Sequence, residues 1–221
     1  MRVNKADYDF GWDEFKAFVD AKGKENTEFI FRGHNTNRYR LKTLFHRLGR
    51  TDLIRFRNED IDKLLYFINS VSIYKYDLNK SGDFDALLSL AQHHGYPTPL
   101  LDWTESPFVA AYFAYQRFSD TNEDQKVRIF VFDSKFWKDM WYGYVPSTNG
   151  IVFPKLIISM YKLPAMNNPR ALPQQSVSML SNIVDIEETF EAFKPKDRRA
   201  YFWKIDLPDD SGVYFFLGEK K

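Results

Sequence analysis

The segment from residue 90 to residue 114, LAQHHGYPTPLLDWTESPFVAAYFA, constrains this chain more than any other segment does. Within thirteen residues it gathers five polar or ionisable side chains, and an apolar run of small residues follows them: Gln92, His93, His94, Asp102 and Thr104. Buried polar groups cost free energy unless they are hydrogen-bonded, so packing alone explains such a cluster poorly. Helical patterns flank it on both sides, which predicts a functional site on a loop between two helices.

The composition limits the class of protein. The chain has 221 residues, of which 44% are hydrophobic, enough for one large folded domain. Its formal net charge of +1 does not favour a nucleic acid or a membrane surface as partner. Because the sequence has no cysteine, disulfides, thiolate nucleophiles and cysteine zinc sites are excluded. With no signal-peptide pattern and no apolar run near the roughly 20 residues of a membrane helix, we expect a cytoplasmic protein.

Helical patterns prevail in the first half of the chain and strand patterns in the second. Helices are predicted over residues 12–21, 59–76, 83–94 and 105–118, and the last begins with Ser106 as cap and Pro107 in its first turn. Strands are predicted over residues 27–32, 127–132, 176–180 and 201–205, whereas residues 137–150 read as irregular. The order predicts one α+β domain, its helical first half packed on a small mixed or antiparallel sheet formed largely by the second half. A core over about residues 27–206 would follow an N-terminal helix within residues 1–26.

The first candidate site segment is FRGH at residues 31–34. An arginine that ends an apolar strand can present its planar fork to a phosphate or a carboxylate, as Arg32 would. Gly33 would let a ligand or another backbone approach closely. An internal salt bridge explains Arg32 equally well on this segment alone.

The second candidate segment contains the two adjacent histidines. On a helix their side chains diverge by roughly 100°, so we expect one of His93 and His94 to face inward and the other to face solvent. The inward histidine would act as a base or a hydrogen-bond anchor, unless it only ends the helix. A shared metal ion is not expected, and no zinc, EF-hand, Walker or GxSxG pattern occurs.

The residues after the histidines allow several readings. Asp102 could orient a histidine, pair with Arg32 or cap the next helix, although Thr104 or Ser106 would be the more natural cap. Trp103 offers a flat face for a ligand ring, and packing in the core is at least as good an explanation.

The third candidate segment, NPRALPQQSVS, spans residues 168–178. It combines Arg170 with two neutral amides, Gln174 and Gln175, beside a predicted strand. Such amides can recognise an amide group or the edge of a nucleobase by hydrogen bonds. An ordinary polar loop is the alternative.

Together these three segments resemble the FRG domain family, which is named for its Phe-Arg-Gly motif. The resemblance covers FRGH, then LLSLAQHHGYPTPLLDWTESPFVAAYFA at residues 87–114 and NPRALPQQSVS, and spans roughly residues 27–205. Pro173, Ser176 and Ser178 depart from the family's third motif, which usually has alanine, glycine and an aromatic residue there. Members of the family resemble bacterial and phage-associated proteins of conflict systems, which implies a role as toxin or defence effector.

An aromatic-Arg-Gly strand end is also similar to the first motif of ADP-ribosyltransferases, in which the arginine holds NAD. This resemblance implies NAD or a related nucleotide as the small-molecule ligand or substrate, no resident cofactor, and activity as an ADP-ribosyltransferase or NAD glycohydrolase. The predicted catalytic residues are His93, His94, Asp102 and Gln175. The predicted ligand-binding residues are Arg32, Gly33, Gln92, Trp103, Thr104, Arg170 and Gln174.

The sequence is also compatible with two other functions. Those transferases carry a catalytic glutamate in their third motif, where this chain has Gln174 and Gln175. A non-catalytic module that recognises a nucleotide or a protein partner is therefore the first alternative. The second is a nuclease or RNA-directed toxin, for which the basic residues between positions 38 and 57 could follow a phosphate backbone, although they also fit an ordinary solvated face.

Overall fold

The computed structural model describes residues 5–80, 82–116, 126–142, 158–162, 175–193 and 200–208. The chain divides into two compact units, each assembled from separate stretches. Unit 1 comprises Met1–Arg40, Trp103–Val152 and Phe190–Lys221, and unit 2 comprises Leu41–Asp102 and Phe153–Thr189. Helices and a mixed sheet are both present, so the predicted α+β class is confirmed. In the described ranges, no helix combines the length and the apolarity needed to cross a membrane.

The described part of unit 1 consists of a mixed β-sheet and the helices that pack against it. Its helices are α1 (Trp12–Gly23), α6 (Pro107–Tyr115) and α7 (Ser134–Tyr142). Its strands are β1 (Tyr8–Asp9), β2 (Phe29–His34), β4 (Val127–Asp133) and β7 (Phe202–Leu207), joined by the end of β3 (Leu100–Thr104). They lie in the order β1-β7-β4-β2-β3. The β1–β7 pair is parallel, and the β7–β4, β4–β2 and β2–β3 pairs are antiparallel.

Alternation along the strands gives the unit 1 sheet two distinct faces. One face packs with α1 and α6 into a core that includes Phe15, Phe31, Ala110, Val131 and Ile205. The residues between these positions point to the opposite face. There the strands carry both large aromatic side chains and charged ones.

An aromatic cluster lies around the start of β7. The rings of Phe132 and Phe190 stack at 4.6 Å, and Trp137 and Tyr201 contact both. The Tyr201 hydroxyl shares its hydrogen between the carbonyl oxygens of Phe190, at 2.6 Å, and Phe193, at 3.1 Å. Burial raises the pKa of Tyr201, because the phenolate would lose its hydration. The phenol therefore stays neutral and anchors the chain that leaves α8.

Unit 2 is mainly helical. Its helices are α2 (Leu44–Arg47), α3 (Leu53–Arg55), α4 (Ile61–Val71) and α5 (Asp83–His93), with a π-helical turn at Phe56–Asp60 between α3 and α4. Helix α8 (Ile186–Ala192) begins in unit 2, and β5 (Ile158–Tyr161) pairs antiparallel with β6 (Ser176–Ser181). The core of this unit contains the side chains Phe45, Phe56, Ile61, Leu64, Ile68, Leu87 and Leu100.

Several predicted elements differ from the structure. The helix expected over residues 59–76 ends at Val71, because Ser72 adopts an extended backbone. The segment from residue 137, expected to be irregular, is helical as far as Tyr142, within α7, and the Asp133 carboxylate accepts a hydrogen bond from the Phe136 N–H in the first turn of that helix. The predicted cap of α6 is confirmed, since the Ser106 hydroxyl accepts from the Val109 N–H at 3.3 Å.

Candidate functional site

The FRGH motif forms the second half of β2, and its residues alternate between the two faces of the sheet. Phe31 and Gly33 face α6, whereas Arg32 and His34 point to the opposite face. A Cβ atom added to Gly33 would overlap the Ala110 carbonyl and lie 2.8 Å from the Ala114 backbone nitrogen. The glycine therefore allows the backbone of α6 to approach β2, which is one of the two roles that the sequence suggested.

Arg32 and His34 are joined by a side-chain hydrogen bond. The Arg32 Nε–H donates to His34 Nε2 at 3.2 Å, and the His34 ring packs edge-on against Phe130. A guanidinium group can only donate, so the imidazole nitrogen in this bond carries a lone pair and the ring is neutral. His34 is buried and Arg32 is half-buried. The bond consequently fixes the plane of the guanidinium at the end of the strand.

A buried ion pair continues the same face of the sheet. His34 lies opposite Arg128 on β4, and Arg128 lies opposite Asp206 on β7. Arg128 donates to Asp206 twice, from Nε to Oδ1 at 2.6 Å and from Nη2 to Oδ2 at 3.0 Å. Asn37, just after β2, adds a 2.9 Å bond from its amide to Asp206 Oδ2. The carboxylate thus ties three segments of unit 1 together around the FRGH strand.

One further charged side chain among the described residues of this face is that of Lys204. Lys204, on β7, is buried and forms an ion pair with Glu191. We call the group Arg32, His34, Arg128, Lys204 and Asp206 the polar face of unit 1. Of these five residues only Arg32 was predicted as a site residue. The available signal for Arg128, Lys204 and Asp206 was the presence of charged residues inside two otherwise apolar strands, VRIFVF and FWKIDL.

The histidine pair belongs to unit 2. Helix α5 ends at His93, and both His93 and His94 are exposed, with their rings 5.4 Å apart. The expectation that one of them faces inward is wrong, because the helix ends between them and neither side chain reaches the core. Gln92 Oε1 accepts a 2.6 Å bond from the Thr98 hydroxyl, which ties the end of α5 to the following loop.

Residues 100–104 form strand β3, so the expectation of a loop throughout this region is wrong. Asp102 is exposed, whereas Trp103 and Thr104 are buried. The Trp103 ring contacts Phe132 at 6.0 Å, which agrees with core packing. The Thr104 hydroxyl accepts from the Ser106 N–H at 3.0 Å and so shapes the turn into α6.

The third candidate segment is only partly described. Gln175 is exposed, directly before β6, with a positive φ of 48°. Arg170 and Gln174 lie outside the described residues. Because the predicted site residues fall in both units, their assembly into one pocket stays a prediction.

Two further groups of unit 2 bear on function. His46 is buried, and its Nδ1 lies 2.9 Å from the Thr43 hydroxyl. Burial, together with the charge of Lys42, lowers the pKa of His46.

In the basic segment between residues 38 and 57, Arg55 pairs with Glu59 at 3.0 Å and Arg50 pairs with Asp60. Two of the cations that could follow a phosphate backbone are therefore neutralised. Among the described residues, no cluster of ligating side chains could hold a metal ion.

Comparison with known proteins gives one finding for the first half of the chain. Residues 27–123 match the family model of the FRG domain, which supports the resemblance over this range. The range contains the whole FRGH strand, the histidine segment and helix α6. No curated protein and no solved structure matches the chain.

Proposed function

We propose that this FRG-domain protein binds a nucleotide of the NAD class, with Arg32 as the residue that holds the phosphate or ribose. The observation that carries the proposal is the hydrogen bond from Arg32 Nε to the neutral His34 ring. This bond orients the guanidinium of Arg32 on the polar face. An oriented guanidinium suits the paired oxygens of a phosphate.

The other two cations of the polar face have structural contacts. Arg128 is held by the carboxylate of Asp206, and Lys204 is held by Glu191. Their charges are balanced inside the fold, which fits a structural role. Arg32 is the most exposed of the three cations, since Arg128 and Lys204 are buried, and it is therefore the one most accessible to a ligand.

The proposed chemistry is cleavage of the bond between nicotinamide and ribose, as in NAD glycohydrolases and ADP-ribosyltransferases: nicotinamide leaves with the bonding electrons, and the oxygen of water or the nucleophile of an acceptor forms the new bond to the ribose carbon and releases a proton. The support is the aromatic-Arg-Gly strand end, which the structure places on β2. Binding without turnover is the second candidate, and it is favoured by Gln175. This residue is a neutral amide in the third motif, and an amide stabilises a positively charged transition state less well than a carboxylate does.

Calorimetric titration with NAD, ADP-ribose and inorganic pyrophosphate tests the binding step, and release of nicotinamide tests the chemistry. We expect Arg32→Gln to weaken NAD binding by at least about tenfold, because the substitution removes one charge-assisted hydrogen bond to the ligand. Arg38→Gln is the matched control, because Arg38 is an exposed arginine on the same segment of unit 1. If NAD binds without release of nicotinamide, the recognition function is supported and the enzymatic one is rejected. If none of the three ligands binds, the whole proposal fails.

A further inference from the structure

His34 holds a fixed place on the polar face of unit 1. It ends strand β2 two positions after Arg32, and residues two apart in a strand point to the same side of the sheet. The imidazole is buried and packs edge-on against the Phe130 ring, with the two ring centroids 4.9 Å apart. Its Nε2 atom lies 3.2 Å from Arg32 Nε. The Phe130 contact and the bond to Arg32 together determine which edge of the imidazole faces the guanidinium.

The bond to Arg32 requires one particular form of the imidazole. A guanidinium nitrogen can only donate, so His34 Nε2 must carry a lone pair. An imidazolium has a hydrogen on both ring nitrogens and cannot accept this bond, and a neutral ring with its hydrogen on Nε2 cannot accept it either. The form that fits is the neutral tautomer with its hydrogen on Nδ1. In a histidine, the hydrogen bond that one ring nitrogen makes selects the tautomer.

The charged groups on the neighbouring strands also favour a neutral ring. Arg128 lies opposite His34 on β4, so an imidazolium would have one guanidinium on its own strand and another on the next strand. A like charge nearby disfavours the charged form of a titratable group. The carboxylate of Asp206, one strand further on, accepts hydrogen bonds from Arg128 and from the Asn37 amide. This carboxylate therefore serves the Arg128 side of the face.

Building on the proposed function, we propose that His34, as its Nδ1–H tautomer, is a positioning residue of the nucleotide site. It acts through Arg32, whose guanidinium it orients for the ligand, and it does not itself contact the nucleotide. An arginine side chain loses conformational freedom when it binds a ligand, and this loss weakens binding. A guanidinium that already donates its Nε–H to a buried ring has less freedom left to lose, so the bond should strengthen nucleotide binding.

Nitrogen-15 NMR of the histidine rings tests the tautomer in the ligand-free protein. The chain has four histidines, and the ring signals of His34 are assigned by their loss in His34→Gln. At neutral pH we expect a protonated Nδ1 and an unprotonated Nε2. A ring with its hydrogen on Nε2, or with hydrogens on both nitrogens, overturns the inference whether or not the protein binds NAD.

Two substitutions test the effect of His34 on the ligand. Glutamine places its amide oxygen as many bonds from Cα as histidine places Nε2, so His34→Gln keeps an acceptor for Arg32. Leucine is apolar and has no acceptor. In calorimetric titration with NAD, we expect His34→Leu to bind at least about threefold more weakly than the wild type, because one hydrogen bond that orients Arg32 is lost. We expect the affinity of His34→Gln to stay within about twofold of the wild type.

The matched pair of variants separates positioning from a purely structural role of the ring. Circular dichroism verifies that both variants are folded. Equal NAD affinities of the three proteins, or equal losses in the two variants, overturn the role of His34 and leave the proposed function intact. If the wild type itself does not bind NAD, the proposed function fails, and the positioning role fails with it.

Discussion

Substitution of Gly33 by alanine tests whether the glycine of the FRGH motif serves packing. The new methyl group would overlap the Ala110 carbonyl and lie 2.8 Å from the Ala114 nitrogen, against an ordinary separation of about 3.4 Å or more. Both obstacles are backbone atoms of α6, so β2 and α6 must move apart. Overpacking of this kind costs typically 1–3 kcal/mol, and the backbone obstacles place Gly33→Ala near the upper end, at about 3 kcal/mol.

The assay is urea unfolding at neutral pH, supported by thermal unfolding. For a chain of this size 3 kcal/mol corresponds to a decrease in Tm of about 6–12 °C. Gly23→Ala is the matched control: no atom lies within 4 Å of the added methyl group, and the residue ends α1. We expect the control to be neutral or slightly stabilising, because alanine restricts the unfolded chain. If Gly33→Ala unfolds at the same urea concentration as Gly23→Ala, the packing role is refuted.

Two further predictions concern buried charge. Because the pKa of His46 is lowered in the folded chain, its imidazole takes up a proton near pH 6.5 in the unfolded chain but stays neutral to lower pH in the folded chain. The free energy of unfolding therefore decreases as the pH falls below about 6.5. Between pH 7.5 and pH 5.5 the free energy of unfolding, measured with urea, should therefore decrease more for the wild type than for His46→Gln, by up to about 1 kcal/mol. An equal decrease in the two proteins would contradict a lowered pKa of His46. Asp206→Asn leaves the buried Arg128 without its counter-charge and should cost about 3–5 kcal/mol, whereas Asp139→Asn, in an exposed ion pair, should cost less than about 1 kcal/mol. Equal effects of these two substitutions would show that burial does not strengthen the Arg128 pair.

Local sequence signals predicted those elements whose determinants are close together in the chain. The start of α6 follows from Ser106 and Pro107, which satisfy and fix the first turn. Strand β4 follows from its β-branched and aromatic run. Strand β3 was missed because Pro97 and Pro99 indicate a loop, whereas pairing with β2, through Phe31 and Thr104, extends the chain immediately afterwards.

The candidate site was predictable only in part for a related reason. The FRGH motif identified Arg32, but its hydrogen-bond partner His34 was not singled out as a site residue. The pairing of Arg128 with Asp206 joins residues 78 positions apart, and strand register, not local sequence, brings them together. Likewise, the exposure of both His93 and His94 depends on where α5 ends, a boundary that periodicity does not fix to one residue.

The proposed contact between the guanidinium of Arg32 and a bound nucleotide can be measured by nitrogen-15 NMR of the arginine Nε–H groups, with the Arg32 signal assigned by its loss in Arg32→Lys. We expect the signal of Arg32 to shift on titration with NAD and to saturate together with the calorimetric binding curve, while the signal of Arg128 stays in place. An Arg32 signal that does not move when NAD has saturated the protein would contradict contact between Arg32 and the nucleotide.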